Sequence, residues 1–134
     1  MSVLLVYDAV ALPASGKATY LRVTVVDLDG NPVHNAKVAM QNMCFLTDNK
    51  GRSPAFDASS LTNIYDETLS EWKTATIAVS CEGYVPAVAL NCIVQTGQTR
   101  NITVKLYRAD DSDLPVVCYV ESPPDAYLQS MFEK

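Results

Sequence analysis

The residues able to do chemistry in this chain are few. It carries one histidine, His34, and four cysteines, Cys44, Cys81, Cys92 and Cys118. Hydrolysis by a Ser-His-Asp arrangement needs an imidazole held by a carboxylate beside a nucleophile. His34 follows Pro32-Val33 in a turn-forming stretch, where a solvated side chain is the expected state. A Cys–His nucleophile is opposed on similar grounds. Cys81 closes the run Ala75-Thr76-Ile77-Ala78-Val79-Ser80-Cys81 on its apolar phase, where an inert thiol is expected rather than a thiolate. No C-x-x-C pair is present, so a zinc site is not expected. The four cysteines read as reduced core thiols. Two disulfides are the alternative in an oxidising compartment.

Carboxylates give a similar answer. Asp27-Leu28-Asp29-Gly30-Asn31 begins like a calcium loop, but its glycine stands fourth rather than sixth and the twelfth position is Val38 rather than glutamate. Turn-forming roles for Asp27, Asp29 and Asp48 are expected, with calcium held across neighbouring loops as the rival. Carbohydrate recognition would need exposed aromatic platforms. Tyr65, Trp72, Tyr84 and Tyr107 are the candidates for it, although Tyr65 and Trp72 are expected first to cover the sandwich from the insertion. No catalytic residue, metal or cofactor is expected.

These residues must be carried by strands. Period-2 alternation puts successive side chains on opposite faces of a strand. It runs through Leu21-Arg22-Val23-Thr24-Val25, Ala36 to Gln41, Ala75 to Cys81, and Ile102-Thr103-Val104-Lys105-Leu106-Tyr107. Turn chemistry separates the runs at Asp29-Gly30-Asn31-Pro32, Asp48-Asn49-Lys50-Gly51, Glu82-Gly83 and Thr96-Gly97-Gln98. Between Asp57 and Lys73 the spacing of Leu61, Tyr65, Leu69 and Trp72 predicts a short helix or an ordered loop. Pro115 to Val120 reads as a strand. Ser122-Pro123 then caps a C-terminal helix whose stripe is Tyr127, Leu128, Met131 and Phe132.

Length and composition bound the rest. The 134 residues suit one domain, 49% hydrophobic and 19% charged, as in globular proteins. A net charge of −5 argues against nucleic acid or anionic lipid as a partner. Val3 to Val6 is apolar, but no basic residue precedes it and Asp8 interrupts it, so no secretory signal is expected. No apolar stretch reaches the ~18 residues of a membrane span. A soluble chain made in a cytoplasm is expected, and release within a particle by lysis is compatible with that.

The stretch from Tyr20 to Tyr107 resembles the carboxypeptidase regulatory-like family, a relative of transthyretin and of collagen-adhesin B-type repeats. The resemblance rests on Val23-Thr24-Val25-Val26-Asp27 with Asp29-Gly30-Asn31-Pro32-Val33, on Ala36-Lys37-Val38, and on Thr47-Asp48-Asn49-Lys50-Gly51-Arg52. It continues in Val79 to Pro86, around Glu82-Gly83-Tyr84, and in Gly97-Gln98 leading to Ile102-Thr103-Val104-Lys105-Leu106. It implies an all-β, Ig-like or prealbumin-like antiparallel Greek-key sandwich with a core over about 20–107. An N-terminal arm over 1–16, the helical insertion over 57–73 and an extension over 108–134 lie outside that core. Tyr84 is expected to plug one end of the sandwich. Members are typically non-catalytic. The transthyretin-related hydroxyisourate hydrolases end in Tyr-Arg-Gly-Ser, whereas Tyr107-Arg108 is followed here by Ala109-Asp110. The lysine of an isopeptide bond is replaced at the corresponding strand position by Arg22, with Asn101 as the nearest acceptor.

The expected function is therefore a non-enzymatic structural or adaptor module. Its partners would be other protein subunits, in a homo- or hetero-oligomer such as a phage-type virion or tail. Val3, Leu5, Tyr127, Leu128, Met131 and Phe132 are the candidate contact residues. An accessory domain binding carbohydrate or cell wall through Tyr65 and Trp72 is the alternative.

Overall fold

Alternating sequence becomes alternating burial. In a computed structural model the described residues are 18–66, 68, 70–111 and 115–121, with the backbone path alone for 2–5. Among them the strands are β1 (Ser2–Leu5), β2 (Tyr20–Val26), β3 (Lys37–Met40), β4 (Met43–Leu46) and β5 (Phe56–Asp57). They continue as β6 (Trp72–Ser80), β7 (Ala87–Gln95), β8 (Thr99–Lys105) and β9 (Val117–Glu121). On β2, Leu21, Val23 and Val25 are wholly buried, while Tyr20, Arg22, Thr24 and Val26 between them are half-buried. On β8, Arg100, Ile102 and Val104 turn inward and Asn101, Thr103 and Lys105 outward. The described residues form an all-β structure, with one 3₁₀ turn at Ala109–Asp111.

Two sheets result. One has the order β1-β9-β7-β6-β3-β4 and the other β5-β2-β8. Leu21, Val23, Val25, Phe56, Ile102 and Val104 of the smaller sheet share one apolar cluster with Val38, Met40, Ile77, Val79 and Ala89 of the larger. Full burial of each large apolar side chain contributes roughly 1.5–3 kcal/mol.

Three expectations change. Pairing is not antiparallel throughout, because β2–β8, β7–β9 and β1–β9 are parallel. The chain leaves β7 for the other sheet as β8 and returns as β9, so it re-enters beside β7 in the same direction. The core also extends past Tyr107. Val117 and Tyr119 of β9 are buried between the sheets, and β9 sits between β7 and β1 rather than outside.

The third change is the insertion, whose described residues contain no helix. Asn63 holds a turn there: its Oδ1 accepts from the amides of Tyr65 and Asp66. The Thr74 hydroxyl accepts from Ile64 N–H, and Thr74 N–H donates to Thr62 C=O. These bonds satisfy the backbone without a helical ladder. Trp72 belongs to β6, so its spacing from Leu61 and Tyr65 reflects a loop folding against a strand. Leu69, the third residue of the expected stripe, lies outside the described residues.

One end of the core is closed by charge. Arg100 on β8 and Glu121 on β9 both fall on the inward phase, with side chains 6% and 0% exposed. Arg100 Nη1 donates to Glu121 Oε1 at 2.7 Å and Nη2 to Oε2 at 2.5 Å. Glu121 Oε1 also accepts Ile93 N–H at 2.6 Å, and Arg100 Nη1 also donates to Ile93 C=O at 2.7 Å. The β7–β9 register runs only to Leu90↔Val120. The ion pair therefore supplies Ile93 with the partners that a continuing strand would give. Cys92 lies beside it, and burial pushes its thiol up to about 12.

The N-terminal strand settles against its own chain, since β1 pairs with β9 from Ser2↔Cys118 to Leu5↔Glu121. Val3 and Leu5 thus lie on an edge strand of this sheet. Tyr127, Leu128, Met131 and Phe132, with the helix expected to carry them, lie outside the described residues.

Candidate functional site

The chemistry-bearing residues do not converge. His34 is exposed in the turn before β3, where Asn35 adopts a positive φ of 62°. The aspartates are committed to loops. Asp27 Oδ1 accepts the amides of Asp29 and Asn31, each at 2.9 Å. Asp48 Oδ1 accepts those of Lys50 and Arg52 at the same distance. The bonds from Asn31 N–H to Asp27 and from Arg52 N–H to Asp48 are the main reason these carboxyls sit below their ordinary range. Among the described residues no group of three His, Cys, Asp or Glu side chains could hold a metal ion.

One alternative loses its platform and one side-chain expectation needs correction. Trp72 is 1% exposed, with its ring centroid 5.9 Å from that of Tyr65. A buried indole offers no face to a sugar, which leaves Tyr65, 44% exposed, without the second half of a platform. The cysteines are all free, but only Cys92 is a core thiol; Cys44 is exposed and Cys81 and Cys118 are half-buried. Tyr84 does pack against the core, with the Arg108 guanidinium 5.6 Å over its ring.

The surface features that sequence reasoning missed meet at β4. Among the described residues this strand ends the larger sheet, with only β3 beside it. Its residues, Met43, Cys44, Phe45 and Leu46, carry no charge and no proline. Natural edges are usually blunted by one of these, because free N–H and C=O groups template another strand. Phe45 pairs with the buried Val38 and so belongs to the inner face. It leans on Phe56 at 5.0 Å between centroids, yet remains 37% exposed. Leu46, on the outer face opposite Lys37, is 58% exposed. Thr47 turns both its N–H and its C=O towards the β3 side, to Ala36 and Asn35. Alternation then turns the N–H and C=O of Leu46 and Cys44 to the open side, and those of Phe45 and Met43 to β3. The available signal was four successive apolar residues between a Gln41-Asn42 turn and the Asp48 turn.

Beside this edge lies a cleft of about 360 Å³, lined by Arg22, Leu46, Asp48, Arg52, Ser53 and Pro54. Segment 51–54 runs along β2: Val25 N–H donates to Gly51 C=O, and Ser53 N–H to Val23 C=O. That places Arg52 across from Thr24 and near Arg22.

Comparison with known proteins adds little. No family model matches the chain. No curated protein matches it either. Among solved structures, the Bacillus anthracis TIE protein is similar over 69% of this chain, with a TM-score of 0.47 and 17% identity. The matched region spans 17% of that protein's length. So loose a likeness bears on no functional residue. Among the described residues no helix is long and apolar enough to cross a membrane.

Proposed function

We propose that this chain is a non-enzymatic structural module that builds protein assemblies by joining a second copy of itself edge to edge through β4. The observation that carries this reading is the open, uncharged β4 edge with Phe45 and Leu46 exposed on it. The two facing sheets are taken as a prealbumin-like sandwich of the carboxypeptidase regulatory-like kind. Positive-φ glycines at all four expected turns, Gly30, Gly51, Gly83 and Gly97, support that assignment.

A second copy is the occupant because β4 complements itself. In an antiparallel pairing centred on Phe45, each Leu46 exchanges backbone hydrogen bonds with the Cys44 of the other copy. These are the residues whose backbone groups face outward. The two Phe45 rings then meet on the inner face, and each Met43 lies opposite a Thr47. No like charges oppose each other in that register, and an aromatic cross-strand pair is favourable by a few tenths to 1 kcal/mol, roughly. A four-residue edge covers less than the roughly 1,200 Å² of a stable interface. The dimer is therefore expected to be weak and concentration-dependent.

Light scattering after size-exclusion chromatography, over a concentration series, tests this. The expected result is a mass rising from monomer towards dimer. Cys44→Lys combined with Leu46→Lys puts two like-charge pairs into each dimer at exposed positions and should weaken association by at least about tenfold. A wild-type chain that stays monomeric to its solubility limit, or a double variant that associates equally well, would overturn the proposal.

A further inference from the structure

The cleft beside β4 holds two cations, Arg22 and Arg52, and one carboxylate, Asp48, which the charge of Arg52 helps to hold below its ordinary range. Among the described residues, the side chains of Arg22 and Arg52 make no hydrogen bond and no ion pair. Arg22 Nε is inaccessible to solvent and has no partner. A buried donor left unpaired carries the full cost of its desolvation, and the cost is larger for a charged group. Two other polar groups of the cleft, the Ser53 hydroxyl and Asp48 Oδ1, already have partners. The Ser53 hydroxyl accepts from Val23 N–H and donates to Pro54 C=O. Asp48 Oδ1 accepts two amides.

We infer that this cleft is a binding site for a single carboxylate borne on an apolar body. A guanidinium presents a planar fork that matches a carboxylate through two parallel N–H···O bonds. Arg22 offers such a fork through its two Nη groups, its Nε being closed to solvent, and Arg52 adds a second positive charge at the rim. Asp48 offsets one of those charges, so the cleft carries about one net positive charge and suits a monoanion over a doubly charged phosphate. Leu46 and Pro54 supply the apolar wall. The volume of about 360 Å³ falls at the small end of ligand sites. Binding here does not depend on self-association, since the residues lie on β2 and segment 51–54 as well as on β4.

Titration of the ¹⁵N-labelled chain with benzoate, benzamide and inorganic phosphate tests it. The readouts are the Arg22 and Arg52 Nε–H resonances, with dispersed backbone amides as the control for folding. Benzoate should shift the Arg22 Nε–H saturably. Arg22→Gln and Arg52→Gln should each weaken benzoate binding by about tenfold or more. Benzamide, of the same shape but uncharged, should produce no saturable shift, and phosphate should bind more weakly than benzoate. If Arg22→Gln does not fold, the exposed Arg52→Gln decides alone. The inference is overturned by absence of a saturable benzoate shift, by benzoate affinity unchanged in the folded variants, or by equal binding of benzamide or phosphate.

Discussion

Glu121→Gln is expected to cost about 3–5 kcal/mol of folding stability, the range for removing one partner of a buried ion pair. That is a large share of the ~5–15 kcal/mol that holds a typical domain. Glutamine keeps the shape of the side chain and can still accept from Ile93 N–H, but it removes the negative charge that faces Arg100 across 2.5–2.7 Å. The guanidinium then loses the Glu121 carboxylate in a site where its side chain is 6% exposed. Arg100→Met strands the carboxylate in the same way. Combining Arg100→Met with Glu121→Gln removes both charges and costs the Ile93 C=O its side-chain partner, about 1–3 kcal/mol for a group left unsatisfied. The double variant should be more stable than the sum of the single losses implies. Urea denaturation of the four proteins measures this coupling. Simple additivity would show that the pair does not act as a unit.

Gly51→Ala is the second large effect, expected at about 3 kcal/mol from backbone strain plus a weakened backbone hydrogen bond. Gly51 sits at φ +76°, and a Cβ there would stand 2.5 Å from the Val25 carbonyl oxygen and 3.1 Å from Pro32 Cβ. The atom it would strike is backbone. It can yield only by moving β2 away from segment 51–54. That movement strains the Val25 N–H to Gly51 C=O bond at 2.7 Å and the Val33 N–H to Val25 C=O bond at 2.9 Å. Gly30 is the internal control. It has φ +85°, and a methyl group there would meet nothing within 4 Å, so Gly30→Ala should cost only the conformational part, roughly 1–2 kcal/mol. Equal losses at the two sites in urea denaturation would mean that the close approach to Val25 is not what Gly51 is for.

The strands were legible because one face of each is buried and the other wet, which writes the period into the residues. Leu21-Arg22-Val23-Thr24-Val25 and Ile102-Thr103-Val104-Lys105-Leu106 alternate in sequence and in burial alike. The turns were legible because glycine relieves positive φ at Gly30, Gly51, Gly83 and Gly97. The bulge in β7 was not. Asn91 takes φ 52° and its N–H bonds to the Thr76 hydroxyl, shifting the β6–β7 register between Ala75 and Ile77. No local residue pattern announces it. The helix expected near Leu61 and Tyr65 failed because apolar spacing cannot distinguish a helix face from a loop pinned by Asn63.

The candidate sites were hidden for different reasons. Arg100 and Glu121 look like surface charges when read one at a time. Read in phase, Arg100 joins Ile102 and Val104, and Glu121 joins Val117 and Tyr119, all buried. Phase was the signal, but the pairing depends on β9 returning to the larger sheet, which only topology provides. The β4 edge lacked alternation because its inner-face residues Met43 and Phe45 are only partly covered and its outer face is also apolar. The Arg22–Arg52 cleft required two segments thirty residues apart to run side by side, as the bond from Val23 N–H to the Ser53 hydroxyl shows.

The most direct measurement of the proposed role is amide hydrogen exchange along β4, followed by NMR at low and high protein concentration. The Phe45 amide, turned to β3, should be protected at both. The amides of Cys44 and Leu46, turned to the open side, should exchange freely in the dilute sample and become protected in the concentrated one. Exchange at Cys44 and Leu46 that stays fast and unchanged across the concentration range would contradict assembly through this edge.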